Sequence, residues 1–153
     1  MSQLEFREIN EDNIYEIIKL SDTLSKEQQD CVASNVYSIA EGSVHSYAYY
    51  RGIYAENKPV GFFMLLVPNE ETKGTEWDMF CLWRFMIAGD EQGKHYGVQA
   101  LDHIVEIAKA KGHDYIHTSC HMAKVSPYHF YLKYGFIDTG EVDDGEQVLR
   151  LNL

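Results

Sequence analysis

Apolar and polar positions change period several times along the 153 residues, and each change marks an expected element. Leu4 to Ile9 alternates as a short strand does. The cluster Asn10-Glu11-Asp12-Asn13 is suited to capping a helix from Ile14 to about Leu20. A second helix is expected to start at Ser25, whose hydroxyl forms a capping-box pattern with Gln28. Val32, Val36 and Ile39 give that helix one apolar face, and Gly42 is placed to end it. The period then shortens to two. Arg51 to Glu56 and Val60 to Val67 read as strands turned through Asn57-Lys58-Pro59, and Met79 to Ile87 reads as a third. Val98, Leu101, Ile104, Val105 and Ala108 return to helical spacing. This helix begins near Gly97, and Lys109, Lys111 and Gly112 supply a basic last turn and a stop. Tyr115 to Cys120 is again a strand, and Ser126-Pro127 opens a short helix running to Tyr134. Phe136 to Val142 and Gln147 to Leu151, joined through Asp143-Asp144-Gly145, close the chain as a hairpin. The order implies a mixed sheet with helices on its faces.

Length and patterning predict one domain over residues 1–153, with no linker, repeat or low-complexity tract to divide it. A chain of this size buries about two thirds of its unfolded surface and needs neither disulfide nor structural metal. Val60 to Val67, the longest apolar run, is too short for a bilayer, which takes roughly 20 residues, so no membrane span is expected. Residues 1–5 lack the basic start and apolar run of a secretory signal, and no lipidation sequence closes the chain; a cytoplasmic protein is expected. Thirteen Lys and Arg against 24 Asp and Glu give a net charge of -11, which repels nucleic acid and draws small cations such as polyamines. Cys31, Cys81 and Cys120 form no CxxC pair, and the seven histidines form no metal-binding helical pair, so the reading is no metal.

The stretch richest in chemistry is Gln92-Gly93-Lys94-His95-Tyr96-Gly97, between a strand and a helix. Free backbone N–H groups at a helix start, together with the macrodipole, make an anion site there. A dinucleotide fingerprint of the GxGxxG type would lie after the first strand, whereas this run lies past the midpoint and lacks the first two glycines. The run resembles the acetyl-CoA loop of the GCN5-related N-acetyltransferase (GNAT) superfamily, which reads Gln or Arg, two residues, Gly, one residue, Gly or Ala. Gln92 and Gly97 match, while His95 stands where the family has glycine and is expected to restrict how closely a pyrophosphate approaches. A second family element, an aromatic on a short helix followed by Gly-Phe, is present as Phe130-Tyr131-Leu132-Lys133-Tyr134-Gly135-Phe136. Within the superfamily, Leu82 to Ile87, the loop and the tail Gly135 to Glu146 are most similar to bacterial spermine/spermidine N-acetyltransferases.

The resemblance implies an α/β (α+β) fold: a mixed, mostly antiparallel central sheet of about seven strands flanked by four helices. It implies acetyl-CoA as acetyl donor and direct transfer, in a ternary complex, to a primary amine of a small cationic substrate, most simply spermidine or spermine. Backbone groups of Phe85, Met86 and Ile87 would hold the pantetheine arm, one N–H acting as oxyanion donor. The loop from Gln92 to Gly97 would hold the pyrophosphate. Tyr131, matching the family's helix tyrosine, would contact the cofactor and protonate the departing thiolate. Related polyamine enzymes carry a carboxylate base where Trp83 aligns, which leaves His117 acting directly or Glu41 acting through water. Helices one and two and the next segment are the expected substrate walls. Asn35, Tyr37 and Glu41, with Tyr47, Tyr49 and Tyr50, offer carboxylate and aromatic faces for an alkylammonium. Rival readings are an acetyltransferase for an antibiotic or protein amine, and a non-catalytic acyl-CoA-binding sensor. Exposed strands near the C-terminal hairpin could pair two copies as a homodimer.

Overall fold

The structure, a computed structural model, describes residues 3–153. Seven strands form one sheet: β1 (Leu4–Arg7), β2 (Ala48–Ala55), β3 (Lys58–Leu66), β4 (Cys81–Ile87), β5 (Tyr115–Cys120), β6 (Ile137–Asp143) and β7 (Glu146–Asn152). The order across it is β1-β2-β3-β4-β5-β7-β6, antiparallel throughout except where β4 meets β5. The helices are α1 (Ile14–Lys19), α2 (Lys26–Gln29), α3 (Asn35–Ser43), α4 (Tyr96–Ala110) and α5 (Tyr128–Tyr134). The mixed, mostly antiparallel architecture is the expected one, with five helices among the described residues in place of four.

The extra helix arises because the stretch expected as one helix from Ser25 to Gly42 breaks. Ser25 and Gln28 do form the reciprocal capping box, yet α2 lasts a single turn. The Ser34 hydroxyl then accepts from the Tyr37 amide and starts α3 afresh, a second cap competing with continuation of the first helix. This resets the helical phase. Asn35, Ser38, Ile39 and Gly42 face inward, and Val36, expected on the apolar face, is 51% exposed. Gly42 lies inside α3 and does not end it. A Cβ there would stand 2.9 Å from the Tyr50 ring and 3.0 Å from Met64 Sδ, so the missing side chain lets α3 lie close to the sheet.

Two cores result. On one face Leu101 and Ile104 of α4, Tyr131 of α5 and Phe136 just beyond α5 pack against Phe63, Leu65, Leu82, Ile116 and Leu149. On the other, α1 and α3 pack Ile17 and Ile39 against Phe62, Met64 and Met86. The turn between β2 and β3 is Glu56-Asn57, both at positive φ, one residue earlier than expected. Pro59 sits within β3 beside a register shift at Ile53/Tyr54. At the other end Asp144-Gly145 makes the equivalent turn of the closing hairpin, as its sequence indicates.

Candidate active site

β4 is treated differently on its two edges. Against β3 it is paired from Gly61 opposite Ile87 to Leu66 opposite Cys81. Against β5 one register pair forms, Cys81 opposite His117, supported by the His117 amide donating to Phe80 O and the Thr118 hydroxyl donating to Leu82 O. Beyond Leu82 the strands part, and a cleft of about 1840 Å³ follows the gap. That exceeds the roughly 300–1,000 Å³ of an ordinary small-molecule pocket and suits an elongated ligand.

Within the open stretch, backbone direction alternates. The Ala88 amide donates to Val60 O, so in antiparallel pairing Met86, two residues back, also turns its N–H and C=O to β3. Phe85 and Ile87 turn theirs to the gap. Of the three residues expected to clamp a pantetheine arm, the main chains of two face the cleft and that of Met86 does not. The Ile87 carbonyl accepts from Gln92 Nε2 at 2.9 Å, which pins the following loop to the end of the strand. Trp83 is the extra residue of a bulge, since Met64 opposes Arg84 while Leu65 opposes Leu82. The bulge puts Trp83 and Arg84 on the α3 face together. There Arg84 donates to Glu41 at 3.0 Å.

The loop reaches α4 through two positive-φ residues, Gly93 and His95. At Gly93 a Cβ would meet nothing within 4 Å, so this turn of main chain is open. His95 is the N-cap of α4 in the left-handed conformation, and its side chain caps nothing, leaving the first-turn amides of α4 free for another acceptor. His95 thus adopts the backbone shape that glycine adopts most easily, one that histidine tolerates better than most residues. His95 nonetheless lines the cleft. Gly97 has a different use: a Cβ there would lie 3.0 Å from Phe130, so α4 and α5 meet closely at this point. Lys94 turns aside to Glu91 (2.8 Å), a nearly buried carboxylate that also binds Lys58. The two ammonium groups hold Glu91 below the usual carboxylate range. Gln92, Gly93, His95 and Gly97 line the cleft, whereas Lys94 and Tyr96 do not.

Tyr131 on α5 also lines it and is 4% exposed. Burial pushes its phenol above the ordinary tyrosine range, partly opposed by hydrogen bonding with Thr118. The ring is held by tilted aromatic contacts with Phe136 and Phe130. His117 alternates with Thr118 along β5 and faces the opposite side of the sheet, across from Arg150. Burial and Arg150 push its imidazole below the ordinary range, against Glu141, so it is neutral near pH 7. Its Nδ1 is buried without a partner. An imidazolium would strand an N–H there, which favours His117 as a polar wall over a proton acceptor.

The residues expected to recognise substrate divide. Asn35 is 1% exposed and donates to the Ile17 carbonyl, tying α3 to α1, while Tyr37 is 60% exposed; neither lines the cleft. Glu41 reaches the cleft only through Arg84. The acidic lining comes instead from the β6–β7 hairpin, where Glu141, Asp143, Asp144 and Glu146 line the same cleft as Trp83 and His117, with Glu141 close enough to His117 to act on its charge. Its local signal was the charge density of Glu141 to Glu146, but the crossing of β7 between β5 and β6, which brings it here, leaves no local trace. Among the described residues no group of three or more His, Cys, Asp or Glu could hold a metal, and no helix is long and apolar enough to cross a membrane.

These features place the site among known folds. A family model described as "Acetyltransferase (GNAT) family" matches residues 11–136. PaiA N-acetyltransferase from Thermoplasma acidophilum, solved in complex with coenzyme A, is similar with a TM-score of 0.72 at 17% identity, covering 99% of each chain. The acetyltransferase from Salmonella typhimurium that modifies the N-terminal serine of a 50S ribosomal subunit protein gives a TM-score of 0.77 at 13% identity, over 100% of this chain and 96% of that one. A Bacillus subtilis acetyltransferase in complex with CoA gives 0.64 at 18% identity, over 100% of this chain and 99% of the other. No curated protein matches by sequence.

Proposed function

The chain belongs to the GNAT acetyltransferase family, and from that premise we propose that it moves the acetyl group of acetyl-CoA directly to a primary amine of a small polycation such as spermidine or spermine. The observation that carries this reading is the gap between β4 and β5, which leads from the free amides of α4 on one face to the acidic hairpin on the other. The lining fits the donor. Open main chain at Gly93 and the uncapped start of α4 suit a pyrophosphate, and the gap-facing backbone of Phe85 and Ile87 suits an amide-bearing arm.

When bound, acetyl-CoA supplies an activated acetyl group. The chain's part is to orient and to manage charge. An N–H of Phe85 or Ile87, aimed into the gap, donates to oxygen as negative charge develops there. Tyr131 holds its proton at Oη. Because burial makes its tyrosinate costly, the phenol acts mainly as a hydrogen-bond donor to a sulfur gaining charge. On the far side, Glu141, Asp143, Asp144 and Glu146 concentrate ammonium groups at the mouth and offer their protons a route to water.

The test is release of free thiol from acetyl-CoA with spermidine, spermine, aminoglycosides and peptide N-termini as acceptors. Polyamines are expected to give the highest kcat/KM, with a rate that falls as salt rises. Activity confined to peptides would remove the polyamine assignment. Tight acetyl-CoA binding by calorimetry with no turnover on any acceptor would favour a sensor.

A further inference from the structure

Both tryptophans of the chain line the cleft, and they are held in opposite ways. Trp83 is already engaged: the Arg84 guanidinium lies 5.4 Å from its ring centre, and the Tyr47 ring is stacked on it at 6.0 Å. Trp77, on the loop between β3 and β4, is 51% exposed, and among the described residues no cation lies over its ring. A loose loop is not the cause. Thr72, 1% exposed, braces it from inside: its hydroxyl accepts from the Asn69 amide, and its carbonyl accepts from the Thr75 hydroxyl, which in turn accepts from the Trp77 amide at 3.1 Å. The Trp77 carbonyl accepts from the Met79 amide at 2.8 Å. The ring is thus presented to the cleft by a fixed support.

Charge and distance say what such a ring would meet. Glu76, beside Trp77, lines the cleft together with the four hairpin carboxylates. Of the Lys and Arg side chains in the lining, Arg84 is bound to Glu41 and Lys133 belongs to α5, on the opposite face of the sheet. The loop enters β4 at Cys81, and from there to Phe85, whose main chain faces the gap, is about 13 Å of strand, with Trp77 four residues further back. An extended tetramine is on this scale, and a short diamine is not. Resting on the polyamine reading, we propose that Trp77 receives the far ammonium of a long polyamine whose near amine is acetylated, and so selects acceptors by length. Carboxylates raise the local concentration of any cation. A tryptophan face fixed at one place, the strongest aromatic partner for a cation, measures where that cation stands.

Steady-state rates at saturating acetyl-CoA with 1,4-diaminobutane, spermidine and spermine, on the full chain and on Trp77→Ala, Trp77→Phe and Trp77→Leu, test this. In the parent kcat/KM is expected to rise with acceptor length. In Trp77→Ala the KM for spermine is expected to rise about tenfold at the parent's kcat, so the preference for spermine over the diamine falls by the same factor. Trp77→Phe should keep most of the preference, and Trp77→Leu, apolar but without a π face, should lose it. Equal weakening of diamine and tetramine in Trp77→Ala would overturn the assignment, as would an unaltered preference or a leucine variant that matches the parent. Weaker CoA binding by calorimetry in Trp77→Ala would mark a structural role and overturn it too. A parent inactive on all three amines would overturn the polyamine reading itself, an outcome distinct from failure at Trp77, which leaves the parent's activity in place.

Discussion

The two edges of β4 belong to one strand and behave as different materials. Toward β3 its backbone groups are consumed rung by rung, and the side chains on either face, Phe63 and Leu65 on one and Phe62 and Met64 on the other, are fully or almost fully buried. Toward β5 the ladder stops after Cys81, and Phe85 and Ile87 present main chain to a cleft. An unpaired N–H in a sheet is ordinarily a liability. Here the closed edge holds the strand rigid, so the donors on the open edge keep a fixed direction, which is what the proposed oxyanion role would require of them. Buried packing is concentrated on one side of the strand and unpaired main chain on the other.

Substitutions that act on one edge alone should separate the two. The largest effect is expected from Tyr131→Phe at the open edge. Loss of the hydroxyl lowers kcat about 100-fold, the scale of one preorganised hydrogen-bond donor to developing charge, while affinity for CoA measured by calorimetry stays within a factor of about two. The hydroxyl's hydrogen bonding with Thr118 is worth only about 1 kcal/mol of stability. Unchanged turnover would remove Tyr131 from the chemistry and leave it a core aromatic. The converse variant is Gly61→Ala at the closed edge. Its Cβ would come 2.6 Å from the Met86 carbonyl, and because the obstacle is backbone in a paired ladder, the strands must separate. A cost of about 1–3 kcal/mol and a drop of roughly 3–10 °C in Tm are expected, with kcat per folded molecule nearly preserved. A kcat loss larger than the stability loss would show that the two edges are mechanically coupled.

What could be read from the chain follows the same division. Periodicity located β5 to the residue and the start of α4 within one, because each has a local cause: β-rich composition in the first, the helical spacing that resumes at Val98 in the second. The run from Gln92 to Gly97, four of whose residues line the cleft, stood out for the same reason, being contiguous. The acceptor side was not. Asn35 has the look of a recognition residue on an amphipathic helix, but Ser34 restarts that helix and rotates Asn35 into the core, where it satisfies the Ile17 carbonyl. Glu41 has the look of a free carboxylate, yet the Trp83 bulge turns Arg84 toward it. The hairpin acids were visible as charge, and only the insertion of β7 between β5 and β6 brings them to the cleft. Local capping and turn chemistry are written in neighbouring residues, whereas a wall built from strands that meet across a sheet is not.

A smaller effect sharpens the comparison with two histidines, one from each region. His103 lies on the covered half, stacked on Phe6 with ring centroids 3.8 Å apart and planes at 2°. His117 stands where the ladder ends. Both titrate below the ordinary histidine range, chiefly because burial disfavours the cation; Arg51 adds to this at His103 and Arg150 at His117, where Glu141 opposes it. A depressed histidine leaves the unfolded chain holding more protons than the folded one once pH falls below the unfolded value of about 6.5, so stability present above that pH is lost toward the folded value. Acidification also relieves the repulsion of a -11 chain, which masks this loss in the parent's own Tm. The difference between variant and parent is free of that background. For His103→Phe, which keeps the stacked ring and removes the proton site, the Tm difference is expected to rise by about 1–3 °C from pH 7 to pH 5. His117→Phe should show a shallower rise, because Glu141 partly compensates the imidazolium. Differences that do not change with pH would mean that neither histidine is held neutral by the fold. A steeper slope for His117 would mean that the end of the ladder is more sealed from water than the covered half.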